Sequence, residues 1–318
     1  MLILDAGSVV RLLDMPSCIR AVEEAFRARG VGRPTPSAMS GLALRGGTLH
    51  AKMASLELSR PYVAAKVNAN FPSNPVEHNL PTIQGVVVLI DGANGVPLAV
   101  LDSGALTTIR TAAASAVAAS LLARADAFTA TFIGCGVQAR AHLEAMHHVR
   151  PLRRIFAIDT RAAVAEEFSV FARDSHRLNA TVASSLAAAT RQSDIIVTTT
   201  PSRSALLDVG DVSPGTFVAA VGADNEHKQE IAPSLLRAAA VVVDDLEQCA
   251  HHGDLHHALA AGVMRREDVR ASLDQIVAGT RHGRGSDAEI IVFDSTGLAI
   301  EDVAAAALVY ERAAADGS

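Results

Sequence analysis

Thr131-Phe-Ile-Gly134-Cys-Gly136-Val137-Gln138-Ala139-Arg-Ala141 is the stretch that decides the fold. An apolar run enters it and a helical pattern leaves it. Gly134 suits a tight turn, Gly136 leaves the backbone room to approach a pyrophosphate, and Ala139 is small enough for close helix–strand packing. A helix that starts here presents free N–H groups and a partial positive charge. A second apolar run, 155–158, ends in Asp159, roughly 20 residues on. A carboxylate at that place accepts both ribose hydroxyls of an adenosine and repels a 2′-phosphate. Arg161, two positions on, is the competing feature, because a guanidinium binds that phosphate. The pattern predicts dinucleotide binding, with NAD(H) preferred and NADP(H) usable. The bland alternative is a glycine turn with a helix-capping Asp. It does not account for strand, loop, helix, strand and Asp occurring in order.

Downstream the same rhythm continues. Apolar runs at 129–133, 155–158, 180–183, 195–199, 217–221, 241–244 and 290–293 alternate with helical patterns. This predicts a doubly wound parallel sheet with right-handed crossovers over 123–296. Thr199, at the end of the fourth run, is a candidate for the adenosine side. Its alternative is ordinary β-branched strand content.

Upstream the pattern differs. Asp14-Met-Pro16-Ser17 caps a helical stretch closed by Gly30. A Gly46-Gly47 pair between alternating runs reads as a hairpin, with Arg45 a solvated turn residue. Strands follow at 62–71, 82–90 and 97–101, the last two joined by Asp91-Gly-Ala-Asn-Gly95, and then a helix over 103–123. The first part, 1–122, is therefore mixed α+β and mostly antiparallel. The Ala-rich helix within 297–318 returns to complete it.

Composition narrows the function classes. At 318 residues, two domains are expected. Net charge is −6 with no long basic run, which leaves nucleic-acid binding without electrostatic support. The N-terminus lacks the form of a signal peptide, and no uninterrupted apolar run reaches the ~20 residues of a membrane span. Cys18, Cys135 and Cys249 are odd in number and widely spaced. They read as packed thiols in a reducing, cytoplasmic setting.

Several runs resemble the ornithine cyclodeaminase/mu-crystallin family, over nearly the whole chain. They are Ala65-Lys66-Val-Asn68-Ala-Asn70-Phe-Pro72-Ser-Asn74-Pro75, Leu80-Pro81-Thr82, Leu106-Thr-Thr-Ile-Arg110-Thr111, Val221-Gly222-Ala-Asp224, Lys228-Gln229-Glu230 and Phe293-Asp294-Ser295-Thr-Gly297. The resemblance implies a Rossmann domain plus an α+β substrate-binding and dimerisation domain, hence a homodimer. It implies that Lys66 and Arg110 hold a substrate carboxylate and that Asp224 handles protons at the substrate nitrogen. Thr111, Val221, Gly222 and Ser295 join Gly134, Gly136, Val137 and Gln138 as cofactor-side candidates. Read without the family, Lys66 fits a solvent-facing strand residue, Arg110 a helix residue paired with an acid, and Asp224 a helix cap.

There are departures. The family often has a cation after a Pro before the hairpin. Here the segment is Arg33-Pro34-Thr35-Pro36-Ser37, so Arg33 or Lys52 takes that place. Ornithine cyclodeaminases carry a Glu near the next strand, where this chain has His50-Ala51-Lys52-Met53. The runs at 66–75 and 80–85, with Gly253-Asp254, are most similar to the Δ1-pyrroline-2-carboxylate reductase branch. The resemblance thus implies reduction of Δ1-pyrroline-2-carboxylate or Δ1-piperideine-2-carboxylate to the L-amino acid. Ornithine cyclodeamination, alanine dehydrogenation and a non-catalytic, crystallin-like nucleotide binder are the alternatives. His251, His252, His256 and His257 lack a ligand partner in sequence, so no metal is expected, and no Gly-x-Ser-x-Gly elbow occurs.

Overall fold

The computed structural model describes residues 1–316. Gly317 and Ser318, the end of the segment assigned above to the first domain, lie outside the described residues. The chain forms two compact units: Met1–Ala114 with the segment from Leu298, and Ser115–Gly297. In order, the first part contains β1 (Leu2–Leu4), α1 (Ala6–Leu12), α2 (Met15–Gly30), β2 (Ser37–Leu44), β3 (Gly47–Glu57), β4 (Pro61–Asn70), α3 (Asn74–Glu77), β5 (Ile83–Asp91), β6 (Pro97–Asp102) and α4 (Ser103–Leu122). The second unit contains β7 (Thr129–Ile133), α5 (Val137–Val149), β8 (Arg154–Ile158), α6 (Ala162–His176), β9 (Asn179–Val182), α7 (Leu186–Thr190), β10 (Ile195–Thr198), β11 (Arg203–Leu207) and β12 (Phe217–Ala220). It continues with β13 (Gln229–Ile231), α8 (Pro233–Ala238), β14 (Ala240–Val243), α9 (Leu246–His252), α10 (Asp254–Ala260), β15 (Ala271–Ser272), α11 (Leu273–Val277) and β16 (Ile291–Asp294). Helix α12 (Ala299–Ala315) belongs to the first unit.

The first unit is a six-stranded sheet, β1-β6-β5-β4-β3-β2, antiparallel except for β1 beside β6. Asp5 and Asp14 cap α1 and α2 by accepting the Ser8 and Ser17 N–H groups at 2.8 and 2.9 Å. Gly46, at φ +83°, makes the hairpin turn, and Arg45 is exposed there. Cross-strand pairs Leu56↔Tyr62, Ala54↔Ala64 and Lys52↔Lys66 set one face of the sheet. Tyr62, Ala64, Leu89 and Leu101 of that face are buried, and α12 packs over β3 and β4. On the opposite face Ile3, Val100, Val88, Ala65 and Met53 stand side by side across five strands. Ile3 is 81% exposed and Met53 44%, so this second face is apolar and open within the chain.

The second unit is the α/β doubly wound Rossmann sheet expected from the glycine loop. Its eight strands are all parallel, in the order β15-β14-β16-β12-β10-β7-β8-β9. The chain runs from β7 outward to β9 and then returns to β10 on β7's other side. The switch point, where such sheets bind ligands, therefore lies at the carboxyl ends of β7 and β10. Phe132, Phe168, Phe217 and Phe293 fill the core around these strands. The boundary between the units falls inside α4, between Ala114 and Ser115, rather than at residue 122. A continuous helix carries no local signal for a boundary. By length and hydropathy alone α4 is apolar enough to cross a membrane, but 67% of its apolar window is buried in the protein. It has the character of a core helix.

Candidate functional site

The glycine loop adopts the conformation its residues dictate. Gly134 sits at φ +83°, and a Cβ there would come within 2.8 Å of Thr200 Cγ2 and 2.9 Å of Thr199 O. Thr199 Oγ1 donates to Gly134 O at 2.9 Å. Gly136 caps α5 without a side-chain hydrogen bond, and a Cβ built on it would meet nothing within 4 Å. Val137 is 69% exposed, so the first turn of α5 faces open space with its N–H groups free. Ala139 is fully buried, as close packing requires. Gln138 Oε1 is buried and has no partner. Asp159 closes the loop from below. Its carboxylate accepts the Cys135 N–H and the Arg161 N–H, each at 2.9 Å. The Arg161 guanidinium lies 3.8 Å from the same carboxylate and is 73% exposed. Open backbone at Gly136, a bare helix N-terminus and an orphaned polar atom on Gln138 together fit a dinucleotide. Val221, Gly222 and Ser295 follow β12 and β16, whose carboxyl ends line up with those of β10 and β7. Ser295 is buried, and its hydroxyl donates to Asp244 at 3.4 Å.

The first unit holds a compact charged cluster. Lys66 on β4 and Arg110 on α4 are 5% and 4% exposed, and both grip Asp302 of α12. Lys66 Nζ donates to Asp302 Oδ1 at 2.9 Å, and Arg110 Nε donates to the same oxygen at 2.8 Å. Arg110 Nη1 also donates to Glu301 Oε2 at 2.7 Å. Burial, with Arg110 beside it, pulls the Lys66 ammonium down to about 8, while Asp302 opposes the shift. Burial also works against the charge on Arg110, but Asp302 and Glu301 outweigh it and its pKa rises. For Asp302 burial favours the neutral acid, and Arg110 and Lys66 overcome it, so its pKa falls. Lys52 is directly opposite Lys66 on the same face. Arg33 is exposed in the loop before β2. Of the two candidates for the displaced cation, Lys52 is the one beside Lys66. Thr111, in the same unit, is nearly buried and donates its hydroxyl to Thr107 O at 2.7 Å within its own helix.

Asp224 lies just beyond β12, with its side chain 49% exposed. No helix follows it, so the capping alternative fails. Its Oδ1 accepts Lys228 Nζ at 2.7 Å and Asn225 Nδ2 at 3.1 Å. The two histidines of α10 are occupied locally. His257 Nε2 donates to Lys228 O at 2.8 Å and His256 Nδ1 to Ala250 O at 3.1 Å. Among the described residues no three His, Cys, Asp or Glu side chains are placed to hold a metal. Burial pushes the Cys18 and Cys135 thiols up to about 12, the condition of packed, unreactive groups.

Residues 1–317 match the model of one protein family, described as ornithine cyclodeaminase/mu-crystallin. The chain belongs to the ornithine cyclodeaminase/mu-crystallin family. Solved structures agree along the whole chain. An archaeal alanine dehydrogenase dimer with bound NAD is 39% identical, with a TM-score of 0.95 over 100% of this chain and 97% of its own. The Δ1-pyrroline-2-carboxylate reductase of Thermococcus litoralis, in complex with NADH and L-proline, is 31% identical at a TM-score of 0.95, covering 100% and 98%. The iminosuccinate reductase of Paracoccus denitrificans, in complex with NAD+, is 30% identical at 0.92, covering 100% and 97%.

Sequence reasoning about this family member missed Glu301 and Asp302, the partners of Lys66 and Arg110. It also gave no role to Glu230, Asp254 and Asp294, which are fully buried in the second unit. The signal was available for the first pair. Glu301-Asp302 are two adjacent acids in the buried first turn of an Ala-rich helix, and buried charges need a partner.

Proposed function

We propose that this protein is an NAD(H)-dependent reductase of a small imine carboxylate. Δ1-Pyrroline-2-carboxylate or Δ1-piperideine-2-carboxylate is the substrate and the L-amino acid is the product. The observation that carries this reading is the buried pair Lys66 and Arg110 converging on one carboxylate, Asp302, at 2.8–2.9 Å. Two fixed cations that already hold a carboxyl group are suited to a second one. Lys66 and Arg110 bind and orient the substrate carboxylate, with Lys52 adding positive potential from the neighbouring strand. Asp224 holds the proton that the imine nitrogen takes as its C=N bond becomes CH–NH. The Gly134–Gln138 loop, Asp159 and the residues after β10 and β12 hold the dinucleotide. When bound, it supplies the hydride for the imine carbon. Asp159 makes NAD(H) the preferred form, and Arg161 leaves NADP(H) usable.

Purified protein is tested with NADH and NADPH against both cyclic imines, iminosuccinate, and pyruvate plus ammonia. NADH oxidation with a cyclic imine supports the reading. Turnover of pyruvate and ammonia alone replaces it with alanine dehydrogenase, a reading favoured by the 39% identity to the archaeal enzyme. Ornithine cyclodeaminase is disfavoured because His50-Ala51-Lys52 offers no acid for a second amine. NADH binding with no turnover would make it a crystallin-like binder.

The apolar sheet face around Met53 and Val88 is the surface for a second copy of the chain, giving a homodimer. Burying that face removes exposed β-branched and aliphatic side chains from water. Light scattering is expected to give a dimer mass for the parent and a monomer for Met53→Glu combined with Leu42→Glu. A monomeric parent would refute the assignment. The buried thiols suit a reducing cytoplasm.

A further inference from the structure

Among the described residues of the second unit four carboxylates are fully buried, and three of them form a chain of contacts that takes no part in the chemistry above. Glu230 lies on β13, Asp254 opens α10, and Asp294 ends β16. Most of their hydrogen bonds are accepted from backbone N–H groups of neighbouring segments. Glu230 Oε1 accepts the Thr200 N–H at 2.6 Å, and Oε2 accepts the Gly222 N–H at 2.7 Å and the Thr198 hydroxyl at 2.6 Å. Asp254 Oδ1 accepts the N–H groups of Glu230 and Ile231, at 2.7 and 2.9 Å. Asp294 accepts those of Asp254 and Leu255, at 3.2 and 2.9 Å. Space is as tight as the bonding. A Cβ on Gly222 would lie 2.5 Å from Glu230 Oε1, and one on Gly253 2.4 Å from Asp294 Oδ2.

The end of this chain of contacts touches the glycine loop. Glu230 ties together the segments after β10 and β12. Thr199 and Thr200, in the first of these, support Gly134 through the Thr199 hydroxyl and the close approach described above. We infer that Glu230, backed by Asp254 and Asp294, is a positioning residue that holds the Thr199–Thr200 and Val221–Gly222 segments in the conformation that receives the dinucleotide. The inference rests on the proposed function for the identity of the ligand. Its physical content is preorganisation. A buried carboxylate accepting several backbone N–H groups fixes loops that would otherwise have to be ordered when the ligand arrives. Burial is the leading influence on all three carboxyls and raises their pKa values, Asp294 to about 7. Asp254 Oδ2 is buried without a partner, so a neutral amide can replace this carboxyl while keeping the accepting oxygen.

That last point supplies the test. NADH is titrated calorimetrically into the purified full chain and its variants, and backbone amide exchange is followed without ligand. Glu230→Gln places an amide NH2 against at least one N–H donor. It is expected to weaken NADH binding by about tenfold or more and to speed exchange at Thr200 and Gly222. Amides within β10 and β12, such as those of Ile196 and Val218, stay protected. Asp254→Ala is expected to weaken binding as well, and Asp254→Asn to recover most of the lost affinity. A folded Glu230→Gln that binds NADH like the parent overturns the inference. If that variant does not fold, equal affinity in Asp254→Ala and the parent overturns it instead. If the parent itself binds no NADH, the proposed function fails first. Rapid exchange at Thr200 and Gly222 in the unliganded parent then overturns the preorganisation separately.

Discussion

In the first unit Asp302 and Glu301 face cations, Lys66 and Arg110, at 2.7–2.9 Å. In the second, Glu230, Asp254 and Asp294 face backbone N–H groups at 2.6–3.2 Å. Both units bury carboxylates, but the consequences differ. Side-chain ion pairs can be exchanged, because an incoming carboxylate offers Lys66 and Arg110 the same accepting oxygens that Asp302 does. Backbone N–H groups held by a carboxylate cannot move without moving the chain. The first arrangement suits a binding site and the second a scaffold.

The largest effect is expected where the exchangeable cluster is broken. Arg110→Ala takes a counter-charge away from both Glu301 and Asp302 in a buried setting. Breaking one side of such a pair costs on the order of 3–5 kcal/mol. Thermal unfolding should show that loss, and turnover should fall below detection. A stable, active Arg110→Ala enzyme would erase the distinction between the two units. Next in size is Asp224→Asn, which keeps the shape and removes the carboxylate. The turnover number should drop by ~10²–10⁴-fold, with NADH affinity by calorimetry nearly unchanged. Equal turnover would show that Asp224 is only a partner for Lys228.

Much of this was legible along the chain and some was not. The glycine loop, Asp159 and the strand rhythm of the second unit are local patterns. Strands β7, β8, β10, β12, β14 and β16 follow them to within a residue or so of each end. β11, β13 and β15 are two to five residues long and left no periodic signature. β13 nonetheless carries Glu230, so the scaffold of the loop was hidden in an element too short to read. Asp224 was legible as a candidate only through the family motif, because nothing local separates a proton-handling Asp from a turn Asp.

A smaller effect sharpens the cofactor side. Asp159 holds both the Cys135 and Arg161 N–H groups. Asp159→Ser should move the ratio of kcat/KM values toward NADPH by about tenfold, the size of one or two charged hydrogen bonds. Arg161→Ala should alter it little if Asp159 governs, and should selectively weaken NADPH if Arg161 does. Steady-state kinetics with both cofactors separates the two.

The smallest effect is in pH dependence. Lys66, pulled to about 8 by burial and Arg110, loses its charge as pH rises through that value. Charged Lys66 is the form that binds a carboxylate. The kcat/KM for the imine should therefore be full below pH 8 and decline above it, once the substrate's own ionisation is allowed for. Lys66→Arg, which stays charged, should carry that decline to higher pH at some cost in KM. A parent profile flat through pH 9 would place the substrate carboxylate elsewhere.

The sequence by itself determined the Rossmann half, because glycine geometry, strand hydrophobicity and a terminal Asp act within some thirty residues of one another. It also determined, through family motifs, which cations and which Asp to inspect. Only the tertiary structure decided what those cations face. Lys66 meets Asp302 across 236 positions and Arg110 meets Glu301 across 191, and no periodicity reaches that far. The pairing arises because α12 returns to cover the buried face of β3 and β4. Charges buried on that face must then be neutralised by whatever acids the helix carries.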